Sequence, residues 1–194
     1  MWNVFYIGVT WPCAIFLVIF QIGFALYFIL IDIHHNHGKQ SPVNISGYIF
    51  VVIEYCIFAT LLSEFIRRQS LKICVRYSVI PFCLAATILW FSEASFARTL
   101  SMLNTLEGIL VIPFCLYYFY ELSKKPLINK LINEPSFWMT TGILFLFVCI
   151  SPYYFAYDFI IKIPEMQIID FVGYDLLVLF LAKASLLQEK GING

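Results

Sequence analysis

The sequence predicts an all-α polytopic membrane bundle of about six transmembrane helices, folded as one domain over residues 1–194. Three observations predict it. Hydrophobic residues make up 61% of the chain and charged residues only 12%, with a mean hydropathy of +0.86, far from the composition of soluble domains. Charges and turn formers separate apolar runs of about 20 residues, the length that crosses a bilayer core. Basic residues gather in alternate connections, as they do in short loops held on the cytoplasmic side.

The spans follow from where charges and turn formers interrupt the apolar runs, because lipid-exposed loops are not tolerated inside the hydrocarbon. The first covers about 11–31 and opens with Thr10-Trp11-Pro12, a cap followed by a proline in the first turn. Residues 1–9 are expected to lie along the interface. The second span covers about 46–65, the third about 73–91, the fourth about 102–120, the fifth about 137–154 and the sixth about 168–187. A signal peptide is not expected, because the early residues lack a basic start, a short apolar stretch and a small-residue cleavage site. The surroundings of Cys13 do not resemble a lipoprotein cleavage site either.

Loop charge sets the expected orientation. Arg67, Arg68, Lys72 and Arg76 join spans two and three, Lys124, Lys125 and Lys130 join four and five, and Lys183 and Lys190 close the sixth. Lys39, Arg98 and Lys162 are left for the other side. The positive-inside rule then places the first group and both termini on the cytoplasmic side of a cell membrane. Arg67 to Arg76 are read as topology determinants, with contact to anionic headgroups as the alternative. Cys13, Cys56, Cys74, Cys83, Cys115 and Cys149 fall in or beside apolar spans without metal or redox spacing, so they read as reduced packing residues.

Against this background, Glu54 in the run Val51-Val52-Ile53-Glu54-Tyr55-Cys56 is the feature that demands an explanation. It lies eight residues from the outer end of its span, about 12 Å at 1.5 Å per residue. A charge at such depth costs about 2.5–3.5 kcal/mol on insertion scales, so it should face protein or water. Glu107, with Asn104 one turn before it, and Asp175 also fall in the outer halves of their spans. Glu54, Glu107, Asp175 and Asn104 are therefore the candidate residues of an intramembrane proton or cation site in an outward-opening polar pocket. The alternative is a carboxyl held neutral by desolvation and hydrogen-bonded to a neighbouring helix as an assembly contact.

Asp32-Ile33-His34-His35-Asn36-His37 offers imidazole ligands for zinc or copper, but no Cys or Glu at ligand spacing completes the set. His34, His35 and His37 stay candidates only, and no cofactor is expected. Pro81 and Pro113 fall inside spans three and four, where proline kinks a helix. Trp11, Trp90, Trp138, Tyr153 and Tyr154 fall near span ends as interfacial anchors. The sequon Asn44-Ile45-Ser46 abuts the membrane and is discounted. Phosphate loops, nucleophile elbows, paired-histidine zinc helices and basic nucleic-acid surfaces are absent, so neither catalysis nor direct nucleic-acid contact is expected.

The run Gly47-Tyr48-Ile49-Phe50-Val51-Val52-Ile53-Glu54-Tyr55 resembles the glutamate-bearing helix of a bacterial family of small multi-pass membrane proteins, often seven-span and functionally uncharacterised. Asn104-Thr105-Leu106-Glu107-Gly108-Ile109-Leu110, ending in Tyr117-Tyr118-Phe119-Tyr120-Glu121-Leu122, is similar to that family's second glutamate helix. Asn133-Glu134-Pro135-Ser136-Phe137-Trp138 is similar to its Asn-x-Pro-x-Phe-Trp entry to the next span. The resemblance covers roughly residues 40–188. Relatives often carry an additional span near the amino terminus, so their span count and terminal orientation transfer poorly. Some are encoded near sensor kinases, which implies a signalling input.

The expected function is a non-enzymatic sensing, regulatory or accessory module. Its expected partners are the lipid bilayer and either a second copy of itself or a cytoplasmic or membrane protein. The alternatives are a small transporter or oligomeric pore, an intramembrane enzyme, and a membrane accessory of an RNA-targeting type VI-B CRISPR defence system. The last has no motif to support it.

Overall fold

The computed structural model describes residues 43–92, 96–124, 132–156 and 168–192. The expected first span and the loop bearing His34, His35 and His37 lie outside these residues. Every described element is helical: α1 (Val43–Phe65), α2 (Gln69–Tyr77), α3 (Val79–Ser92), α4 (Phe96–Ser123), α5 (Pro135–Phe155) and α6 (Ile168–Ile192). Four stretches are long and apolar enough to cross a membrane: Gly47–Phe65, Gln69–Phe91, Arg98–Ser123 and Pro135–Phe155. They match expected spans two to five. α6 covers the expected sixth span but is not one of the four, so the described residues give an all-helical chain with four candidate spans. The helices overrun the expected spans, α1 beginning at Val43 and α4 at Phe96. Hydrogen-bonded turns continue after hydropathy has fallen.

α2 and α3 together form one candidate span, divided at Ser78. The backbone bonds Ser78 N–H to Cys74 O (2.9 Å) and Phe82 N–H to Ser78 O (3.1 Å) carry the helix across the break. Pro81 has no N–H to offer the Tyr77 carbonyl, which accounts for a division just before it. The Ser78 hydroxyl donates to Val75 O at 2.6 Å, so the 2.7 Å contact with Tyr55 has the tyrosine O–H as donor. α1 thus holds the kink from outside the kinked helix. Pro113 and Pro152 lie inside α4 and α5.

α5 packs along both α4 and α6, while α1 packs on α4 and on the α2–α3 span. Helices that are apolar all round have no amphipathic stripe to orient them, and small residues set the contacts instead. A Cβ on Gly108 of α4 would overlap Ser151 Oγ of α5 and lie 2.9 Å from Ser151 Cβ. A Cβ on Gly142 of α5 would lie 2.8 Å from Phe180 Cβ of α6.

One end of the bundle is cross-tied by polar contacts. Glu64 pairs with Lys72 at 3.0 Å and with Arg76, while Arg76 Nε donates to Ser63 Oγ at 3.1 Å. Glu121, at the end of α4, accepts the backbone N–H groups of Arg67 (3.0 Å) and Arg68 (3.3 Å), just ahead of α2. Tyr118 O–H donates to Ser136 Oγ at 2.9 Å, and Trp138 Nε1–H donates to Ile132 O at 2.7 Å. The Asn-Glu-Pro-Ser-Phe-Trp motif is therefore a helix entry with Pro135 in the first turn, fastened by its own serine and indole.

The close crossing at Gly108 yields a direct expectation. Gly108→Ala should destabilise the protein by about 1–3 kcal/mol, as overpacking of a filled contact does, and Ser151→Gly in the same chain should recover most of the loss. Unfolding midpoints in detergent micelles measure both; additivity of the two changes would disprove the contact.

Candidate functional site

α1 buries a stripe of Val51, Tyr55, Phe58, Leu62 and Phe65, and Glu54 falls on its margin at helical spacing from Phe50 and Phe58. α4 buries the ridge Leu103, Glu107, Val111, Cys115, Tyr118 and Leu122. Glu107 thus occupies a position that the pattern otherwise fills with core side chains. The packing of α1 on α4 brings the two acids to within electrostatic reach of each other. Glu54 is 2% exposed and Glu107 is 0% exposed.

Their hydrogen bonding is incomplete. Tyr174 of α6 donates its O–H to Glu54 Oε2 at 3.2 Å, with its ring set edge-on to Phe50. Glu54 Oε1 and both oxygens of Glu107 have no partner among the described residues. Ser151 Oγ, which sits against Gly108, is likewise buried without a partner. Most buried polar groups in folded proteins are paired, so three orphaned carboxyl oxygens in one place call for an explanation. The described ion pairs of Lys72 and Arg76 both go to Glu64 at the cross-tied end.

The four residues expected at the site therefore divide. Glu54 and Glu107 are brought together. Asn104 is buried, but its amide donates to the Leu100 carbonyl of its own helix at 2.9 Å and gives Glu107 nothing. Asp175 is exposed on α6, one residue past the tyrosine that reaches Glu54, and does not join the pair. Among the described residues no outward-opening pocket is seen at the two acids, which are buried. An open groove of about 250 Å³ lies elsewhere, lined by Tyr48, Ile49, Thr87 and Trp90.

Sequence reasoning missed Tyr174 and Ser151. A tyrosine within an apolar helix needs a partner for its O–H, and that signal was available; the choice of Glu54 as partner was not. Among the described residues no group of three or more His, Cys, Asp or Glu side chains could hold a metal ion. His34, His35 and His37 lie outside those residues. No family model, curated protein or solved structure matches the chain.

Two substitutions separate the roles of the three side chains. Tyr174→Phe removes the donor from a buried carboxyl and should cost about 1–3 kcal/mol. Glu107→Leu replaces an orphaned polar group by an apolar one of similar size and should leave stability unchanged or higher. Unfolding of the purified protein in micelles reads both. A large loss on Glu107→Leu would mean that Glu107 has a partner essential to the fold.

Proposed function

We propose that the protein is a non-enzymatic, multi-pass regulatory or sensing module whose helix packing is biased by protonation or cation occupancy of Glu54 and Glu107. The observation that carries this reading is the buried carboxyl pair, three of whose oxygens have no partner among the described residues. Two buried carboxylates within electrostatic reach of each other, with no basic partner among the described residues, demand compensation of their charge. Protons or a cation supply it, and the packing around the pair depends on whether they are bound. Tyr174 gives that change a route to α6, since it holds the carboxyl that α1 contributes.

The same reading places about six spans in the membrane, with the cross-tied end and both termini in the cytoplasm. The resemblance to the uncharacterised multi-pass family, some of whose members are encoded near sensor kinases, supports a signalling input. The orientation has its own test. A cysteine introduced at position 125 should resist an impermeant maleimide in intact cells and react after permeabilisation, and labelling in intact cells would reverse the assigned topology.

Glu54→Gln and Glu107→Gln keep size and much of the hydrogen bonding while removing titration. In the native protein, helix accessibility measured by hydrogen exchange in liposomes should change with pH, because occupancy of the pair by protons changes its charge. In the double variant it should be flat. An unaltered pH profile in that variant would reduce the pair to a packing contact.

A further inference from the structure

The candidate spans on either side of the α1–α2 link end at Phe65 and resume at Gln69, so only Ile66, Arg67 and Arg68 separate them. Ile66 is buried and the two arginines are exposed. Glu121 accepts the backbone N–H of Arg67 on Oε2 and that of Arg68 on Oε1. Its carboxylate therefore fastens the link without pairing with either guanidinium, and neither arginine has an ion pair among the described residues. Lys124, one turn past Glu121, holds its ammonium 4.3 Å from the centre of the Tyr120 ring. Lys183 of α6 stands 5.9 Å from the centre of the Trp138 ring. Both lysines are exposed and, among the described residues, have no ion pair. A ring face orients a cation but leaves its charge in place. The end of the bundle that is matched internally at Glu64 thus presents four cations outward.

We propose that Arg67 and Arg68 bind the headgroup phosphate of an acidic phospholipid, supported by Lys124, in the leaflet at the cross-tied end. Level selects a lipid over a soluble anion. A link of three residues between two spans sits at the bilayer boundary, where lipid phosphates are held and where an anionic leaflet attracts cations. Guanidinium forks meet phosphate oxygens in pairs, and Glu121 keeps both forks at that boundary by holding their backbone. The acyl chains have a surface to follow. Ile73, Tyr77, Ile80 and Leu84 recur at spacings of four, three and four along α2 and α3, and all four are exposed. A single lipid thus touches the link with its phosphate and the kinked span with its chains. The site is separate from Glu54 and Glu107.

Native mass spectrometry of the full-length protein, released from micelles doped with phosphatidylglycerol or with phosphatidylcholine of the same chains, reads bound lipid directly. The native protein should prefer phosphatidylglycerol by about 25-fold, the product of two steps of about fivefold, each being what one basic residue contributes near an anionic surface. Arg67→Gln and Arg68→Gln should each weaken the preference about fivefold, and the double variant should lose it. Both substitutions keep the backbone amides that Glu121 holds, so the link itself stays fastened. Arg98→Gln, at the other end of α4, should keep the preference. Sodium phosphate should displace no more lipid than sodium chloride of equal ionic strength. Equal retention of the two lipids by the native protein, an unchanged preference in the double variant, or the same loss in Arg98→Gln would each overturn the proposal. Specific displacement by phosphate would overturn it too, by marking a site for soluble anions.

Discussion

Lipid tails are as apolar as leucine, so helices in a bilayer gain little by burying apolar faces against one another, and their association relies on close packing and polar contacts. In this bundle the close packing is concentrated on α5. Gly108 lets α4 come down on Ser151 of α5, and Gly142 lets α6 come down on α5 from another side. The remaining positions follow from that pair of crossings. α4 seated on α5 presents its ridge from Leu103 to Leu122, and α1 packs on α4. Glu107 lies on that buried ridge, one residue before the glycine of the crossing, and is fully enclosed.

The polar contacts divide the molecule into two regimes. At the cross-tied end, groups are matched: Glu64 with Lys72 and Arg76, Glu121 with two backbone amides, Tyr118 with Ser136. Such an end is held by several partners at once and resists local opening. Deeper in the bundle the matching fails, with three carboxyl oxygens and a serine hydroxyl unpartnered among the described residues. A fold optimised for stability alone would fill those positions with apolar side chains, and sites that sacrifice stability in this way are commonly those that serve function.

The α2–α3 span is the least enclosed of the four candidate spans, with 17% of its most apolar stretch buried. Its ties to the bundle are specific: the Tyr55–Ser78 hydrogen bond at the kink, the Tyr55–Phe82 stack and the Tyr48–Trp90 contact. All three come from two tyrosines of α1. The helix that carries Glu54 is thus also the one that positions the most peripheral span, so a shift of α1 would be transmitted to both.

Composition and the spacing of charges determined the helical class, the location of spans two to five and the suspicion attached to Glu54 and Glu107, because the hydrocarbon imposes length and polarity on every segment that crosses it. Pro81 marked the break near Ser78 for the same local reason, a missing N–H. What the sequence did not determine was partnership. Glu54, Glu107 and Asp175 are alike as letters in apolar runs, and only the rotation of each helix about its axis decided that two are enclosed together while Asp175 is exposed. Asn104 sits one turn from Glu107, yet its amide is taken by its own backbone, a choice invisible in spacing. Tyr174 meets Glu54 across 120 residues, and Tyr55 meets Phe82 in a stack that spacing does not foretell. In helices that are apolar on every face, hydrophobic periodicity cannot specify which face turns inward, so rotation and register came from glycine contacts and tertiary packing.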